Sequence, residues 1–352
     1  MMAKPRLTGS ESAPVMSEIR VSPDHLGGLL ARILGGAGMS AANAEIIAGR
    51  IVAAERDGAH SHGLIRLAGY LSSLQSGWVD GRATPAVEDA APGFVAVDAG
   101  NGFAQIALAA GTGPLLAKAR ANGIAALLIR NSHHFSALWP DVEPIAEAGF
   151  VAFAFVNARS RVMPWGGTKK LFGTNPMAFA CPRRAGPPMV WDQASSIRAQ
   201  GDVLLAAKRG ESLPPGIGFD AEGRPTTDPD AVLAGGAIAP FGGHKGSSIA
   251  LMVELMAAAL TGGRFGFEDA AAAFPGAQTS NAGEAVIAID PRRVAGEAFL
   301  DRAETLMQHL VEDGDARLPG DRRYAHRRDA AASGIRLARK EYDALLAQAG
   351  CG

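Results

Sequence analysis

The sequence predicts an α/β protein with helices grouped near its N-terminus, and three observations carry that prediction. Residues 23–56 alternate apolar and polar side chains with a helical period, Ile46, Ile47, Ile51 and Val52 falling on one face. The alanine-rich stretch 106–122 reads as a helix and runs into Ile124–Arg130, a continuous apolar strand of the kind buried on both faces of a layered sheet. No GxGxxG or P-loop spacing occurs anywhere in the chain, which disfavours an ordinary Rossmann site.

Residues 1–17 are polar and mixed, so they read as a flexible extension without a signal-peptide core, with Met16 an alternative start. Gly35, Gly36 and Gly38 divide 23–56 into two helices, and Ser40 caps the second. Gly58 ends that helix, and 66–78 continue as helix. A strand over 93–98 closes in a glycine turn, 100–102. Further apolar strands are expected over 150–156, 189–197 and 285–289, a surface excursion over 208–230, and helices from Ser247, over 295–312 and over 335–349. The run 317–328 is expected as a basic loop.

Composition narrows the class. The chain has 352 residues, is 47% hydrophobic and 20% charged, and carries a net charge of −1, enough for a large core and without the basic excess of a nucleic-acid binder. The most apolar run, 248–260, is interrupted by Glu254 and too short to span a bilayer. Cys181 and Cys351 make no disulfide framework and match no zinc spacing, which points to a reducing compartment.

Five stretches concentrate chemistry. ERDGAHSHGLIRLAGY, residues 55–70, places His62 and Arg66 one helical turn apart if a helix restarts at Ser61. That pair either serves proton transfer on a small carboxylate or is the polar start of a helix. Asn131–Phe135 follow a buried strand at its carboxyl end, where α/β sheets place ligands. Residues 164–183 form a glycine- and proline-rich loop suited to close backbone approach, and Asp192 intrudes into an apolar strand, where a carboxylate needs a partner. His244 and Lys245 open a helix whose amino end could receive a phosphate.

Taken together, SHGLIRLAGY, NSHHFSALWP, PWGGTKKLFGTNP, VWDQASS, GGHKGSSIALMVELM and LPGDRR resemble the type-2 malate/L-lactate dehydrogenase superfamily, which uses nicotinamide cofactors without a Rossmann fold. HHFSALWPDVEP, GTKKLFGTNP and HKGSSIALMVELM are most similar to the Δ1-piperideine-2-carboxylate and Δ1-pyrroline-2-carboxylate reductases of that superfamily, which reduce cyclic imino acids with NADPH. The resemblance implies a mixed-sheet domain plus a helical domain. Residues 18–130 and 290–352 would form a discontinuous substrate and dimerisation domain around an NADP-binding domain at 131–289. It implies His62 as proton donor in a charge relay with Ser61 and Asp192, and Arg66 with Thr174 on the substrate carboxylate. It places the cofactor against His134, Phe135, Ser136, Ala137, Leu138, His244, Lys245, Gly320, Asp321 and Arg322, with Arg183 for the extra phosphate of NADPH. NADH remains possible as the cofactor. Trp191, Gln193 and Asp321 depart from the family pattern and bear on pocket shape. An imidazole near its solution pKa is expected to be the acid that protonates the imine.

The expected protein is a cytoplasmic homodimer acting on a small cyclic imino acid, with no membrane or nucleic-acid partner and no metal. An alternative is a 2-hydroxy acid dehydrogenase for malate, lactate, ureidoglycolate or a sugar acid. A metal-dependent hydrolase or lyase built on His60, His62, His133 and His134 would lack carboxylate ligands of a recognisable site. A non-catalytic ligand-binding protein would have no use for Ser61, His62, Arg66 and Asp192 together.

Overall fold

The computed structural model describes residues 18–312 and 314–350; the expected extension at 1–17 and Cys351 lie outside them. Strand β1 (Glu18–Val21) leads into α1 (Pro23–Gly36), and α2 (Ala41–Arg56) follows. Ser22 and Ser40 cap the two helices, their hydroxyls accepting the His25 and Asn43 amides. Leu26, Leu30 and Leu34 of α1 bury against Ile47 and Ile51 of α2. The next segment corrects one expectation, because no helix restarts at Ser61. Two separate 3₁₀ turns, His60–His62 and Leu64–Arg66, precede α3 (Leu67–Gln75). Glu55 is the cause: its Oε1 accepts the Leu64 N–H at 2.6 Å, and Gly63 presses so close that an added Cβ would lie 2.0 Å from that oxygen.

The central elements are β2 (Ala86–Ala91), β3 (Phe94–Phe103), α4 (Ala104–Asn122), β4 (Ile124–His133), α5 (Trp139–Glu147), β5 (Val151–Val156), β6 (Met177–Cys181) and β7 (Met189–Gln193). After them come α6 (Gln200–Arg209), β8 (Gly218–Phe219), β9 (Pro225–Thr226), α7 (Pro229–Leu233), β10 (Ala237–Ile238), α8 (His244–Glu254) and β11 (Asn281–Ile289). The chain finishes through α9 (Arg292–Ala295), α10 (Ala298–Val311), α11 (Asp321–Ser333), β12 (Ile335–Ala338) and α12 (Arg339–Gln348).

A seven-stranded sheet in the order β2-β3-β4-β11-β5-β6-β7 forms the centre. Only β3 and β4 pair in parallel; every other neighbouring pair is antiparallel. Since β11 runs against both β4 and β5, and β6 against both β5 and β7, the strands β3, β4, β5 and β7 all end at one edge. Leu127, Ile129, Ala152, Ala154 and Val286 of the sheet pack with Leu115 of α4 and Val142 and Ile145 of α5. Phe155 and Ala285 pack with Val253 of α8 and with Ala257 of the π-helical turn Leu255–Ala259 that follows it.

The domain boundary expected at residue 131 falls inside β4. Strands β2 to β4 share this sheet with β5 to β7 and β11, so hydrogen-bond ladders cross the expected division. The excursion at 208–230 is more ordered than expected. It carries β8 and β9, leads into α7, and forms with β10 a three-stranded sheet, β10-β8-β9, beside a cluster of Val203, Leu213, Ile217, Val232 and Ile238. The basic loop expected at 317–328 is largely the helix α11, and the helix expected at 335–349 begins as β12, which pairs antiparallel with β1.

Candidate active site

The common edge of β4, β5 and β7 gathers His134, Arg161 and Asp192, and the two 3₁₀ turns bring Ser61, His62 and Arg66 to it. Ser61 Oγ lies 3.1 Å from His62 Nδ1, leaving Nε2 without a protein partner among the described residues. The Arg66 Nε donates to Ser61 O at 2.8 Å, and its guanidinium lies 4.8 Å from the centre of the Phe135 ring. Phe135 stands edge-on to the buried Tyr70 at 5.2 Å, which fixes the ring under the guanidinium.

His62 does not keep its solution pKa. Burial and then the Arg66 charge lower it to about 4, with His134 adding and Asp192 opposing, so the imidazole is neutral near neutral pH. Desolvating a cation beside another cation costs energy that the Asp192 charge does not fully repay, which corrects the expected titration. Of the contacts expected for a charge relay, only that between Ser61 and His62 is made. Asp192 acts on His62 through space, while its own oxygens take the Leu138 N–H and the Arg323 guanidinium, each at 3.2 Å.

Arg161 is a site residue that the sequence reading missed. Its backbone bonds to Phe172 and Ile238, while its guanidinium makes no hydrogen bond or ion pair among the described residues. Burial and then Arg159 lower its pKa to about 10, with Arg66 adding and Asp269 opposing. A half-buried guanidinium left unpaired beside Arg66 is set up for an anion from outside the chain. Its signal was a basic residue just past the end of β5. Arg323 was missed for another reason: with α11 read as a loop, the inward face of the helix was invisible. Arg323 pairs with Asp192 and lies 4.6 Å from the Trp139 ring centre, whereas the expected Arg322 points to solvent.

The other expected residues are distributed as follows. The Thr174 carbonyl accepts the Ser195 amide at 2.7 Å, and its half-buried hydroxyl has no partner among the described residues. Ser136 Oγ accepts from Gln105 Nε2 at 2.9 Å, and Ala137 and Leu138 turn their side chains into the core. His244 and Lys245 are exposed at the start of α8. Gly320, at φ +96°, opens α11, and Asp321 Oδ2 accepts the Leu318 amide at 3.0 Å. Arg183 is engaged by Glu304 at 2.7 and 3.2 Å, so its fork is already occupied. Two helix amino ends, with Lys245 and Arg322 unpaired beside them among the described residues, suit the phosphates of a dinucleotide.

The four histidines considered for a metal separate. His60 Nδ1 binds Glu55 at 2.5 Å, and buried His133 lies between Asn101 and Thr279. Only His62 and His134 reach the cleft.

A loop from Asn157 to Asn175 carries Arg159, Arg161 and Thr174, and the buried Glu254 of α8 holds both its ends. Glu254 accepts from Asn157 at 3.0 Å, from Asn175 at 3.1 Å and from the Gly266 amide at 3.3 Å.

Comparison with known proteins gives the following. The malate/L-lactate dehydrogenase family model matches residues 21–346. A Delta(1)-pyrroline-2-carboxylate/Delta(1)-piperideine-2-carboxylate reductase of Pseudomonas putida is 52% identical over 335 residues, covering 95% of this chain and 98% of that protein. A (2R)-3-sulfolactate dehydrogenase (NADP(+)) of Chromohalobacter salexigens is 44% identical over 306 residues, 87% of this chain and 91% of that protein. The crystal structure of delta1-piperideine-2-carboxylate reductase from Pseudomonas syringae superposes with a TM-score of 0.92 at 52% identity, covering 94% of this chain and 99% of that one.

Proposed function

The chain belongs to the malate/L-lactate dehydrogenase family, and from that premise we propose how it works as a reductase of small cyclic 2-imino acids, converting Δ1-piperideine-2-carboxylate and Δ1-pyrroline-2-carboxylate to L-pipecolate and L-proline. It is an oxidoreductase, as its close relatives are. The observation that carries the mechanism is the unpaired Arg161 guanidinium beside Arg66, next to two cleft imidazoles.

Arg66 and Arg161 hold the substrate carboxylate, with the Thr174 hydroxyl as a further donor. The bound carboxylate offsets the positive field that depresses His62, and the Asp192 charge then favours a proton on it. His62 so charged gives that proton to the ring nitrogen, Ser61 keeping the imidazole oriented through Nδ1. Nicotinamide, when bound, supplies the hydride. Phe135 to Leu138, His244, Lys245 and Gly320 to Arg322 would hold the dinucleotide, while His134, close enough to His62 to act on its charge, faces the substrate. Arg322 and Lys245, both unpaired, favour NADPH, and Arg183 is withdrawn from that role by Glu304.

Exposed Leu251, Leu255 and Phe267 give a second copy an apolar surface, which supports a homodimer. Among the described residues no helix is long and apolar enough to cross a membrane, in keeping with a cytoplasmic enzyme. The test is loss of NADPH absorbance with both cyclic imines, with pyruvate and oxaloacetate as controls, repeated with NADH. The sulfolactate dehydrogenase relative gives the oxo acids their place in that panel. Turnover of oxo acids alone would withdraw the imine substrate.

A further inference from the structure

The second cleft imidazole, His134, is backed by a buried group of charges that the mechanism above does not use. Its Nε2 lies 2.8 Å from Asp141 Oδ2; the His134 side chain is 5% exposed and that of Asp141 0%. Arg50 approaches Asp141 Oδ1 at 3.3 Å. Behind them Glu284, in the middle of β11, is fully buried, and neither of its carboxyl oxygens has a hydrogen-bond partner among the described residues. One ligating atom from each of His134, Asp141 and Glu284 falls within 4.8 Å of the others.

The charges in this group do not balance unless one proton is held there. Two carboxyl groups face one guanidinium, and burial with the Asp141 charge pushes the Glu284 carboxyl well above the usual range. Glu284 is therefore the neutral member of the pair. The Asp141 oxygen, 2.8 Å from Nε2, accepts a proton carried there, and a ring holding that single proton presents a lone pair at Nδ1. Nδ1 has no partner among the described residues. Arg50, so close to Asp141, makes the same three donors a poor site for a cation.

We infer that the buried Asp141–Glu284 pair is a specificity device: it pins His134 as a hydrogen-bond acceptor facing the cleft and so favours substrates that present an N–H. This deepens the cyclic imino acid reading and rests on it. A protonated cyclic imine carries a hydrogen on its reacting nitrogen, and the amino acid product carries two. An oxo acid carries none on its reacting oxygen, and its ketone would meet a lone pair with a lone pair. Asp141 is a positioning residue here, acting through the tautomer of His134.

Pyrrole-2-carboxylate and furan-2-carboxylate test this, being flat rings of nearly the same shape that differ in N–H against O. Titrated into the wild-type enzyme with NADP+ present, the pyrrole is expected to bind at least tenfold more tightly. In Asp141→Asn the amide donates to Nε2 and moves the ring proton to Nδ1, so the preference should fall to parity or reverse while NADP+ affinity stays. His134→Phe removes the acceptor without placing an amide in the interior, and it should also bring the ratio to about one. No preference in the wild type, or an unchanged preference in both variants, overturns the inference. Failure of the wild type to turn over any cyclic imine would instead remove the substrate assignment, since the binding ratios are read without turnover.

Discussion

Arg66→Met keeps much of the side chain's length and stacking surface on Phe135 while removing its charge, and two consequences follow from the geometry. The first is binding. Truncating one partner of a desolvated, hydrogen-bonded charge pair costs about 2–5 kcal/mol. Arg66 is only half-buried and Arg161 remains, so the lower half of that range applies, and kcat/KM should fall by roughly 30- to 300-fold. The second is titration. Arg66 is the second cause of the depressed His62 pKa, after burial. In Arg66→Met that pKa should rise from about 4 yet stop short of the ordinary 6.5, because the burial remains. Arg66→Lys separates the two effects, since a lysine keeps the positive field but lacks the planar fork, so substrate binding weakens while His62 stays low. Steady-state kinetics between pH 5 and 9 would read the first consequence, and an NMR titration of His62 without substrate the second. A kcat/KM within threefold of wild type, or a His62 pKa that stays near 4 in Arg66→Met, would refute the arrangement.

Four further outcomes are expected. Glu254→Ala removes the acceptor shared by the Gly266 N–H and by the Asn157 and Asn175 side-chain amides, which keep only the Arg264 and Ala250 carbonyls; denaturant melts should show about 1–3 kcal/mol lost, with a raised substrate KM. Arg327→Met leaves Glu143 without its cation and Asp57, whose side chain is 0% exposed, with Arg56 alone; a loss at the lower end of about 3–5 kcal/mol is expected in the same melts. Gly63→Ala forces the chain away from the Glu55 carboxylate and should cut activity at least tenfold, with circular dichroism showing the helices intact. His133 has a pKa lowered by burial to about 3, against 6.5 when unfolded. Its contribution is complete above pH 6.5 and is lost as pH falls towards 3, at up to about 1.4 kcal/mol per pH unit for one proton. Glu254 opposes this trend because its pKa is raised; His133→Gln should flatten the acid limb in chemical denaturation at fixed pH.

The sequence revealed elements where local chemistry and periodicity agreed. The two capped helices and the apolar strands at 124–130 and 150–156 could be read because their burial pattern lies within one segment. His62 and Arg66 were legible as types, yet the 3₁₀ geometry that joins them depends on Glu55 reaching across Gly63, a contact that no period encodes. Short strands such as β8 and β10 are below the length at which alternation can be seen. The charged helix α11 has no apolar stripe to announce it, and its inward face is made of Arg323 and Arg327 paired with acids far away in sequence. Nothing local in the sequence marks Asp141. Its importance comes from β11, which brings Glu284 beside it from the far side of the chain.

The pairing of β1 with β12 bears on how the protein is made. Arg20 donates to the Gly334 carbonyl at 2.9 Å, across a separation of 314 residues, and it also meets Asp329 of α11. Closing so long a loop is slow compared with forming neighbouring helices. During synthesis, α1 to α3 can assemble early with Ser61, His62 and Arg66 already in order along the chain. Arg323, the ion-pair partner of Asp192, and the clasp that secures the helical layer leave the ribosome more than 250 residues after Arg66. A partly made chain would therefore carry Ser61, His62 and Arg66 without their frame, and competence should arrive in one later step when β12 docks on β1.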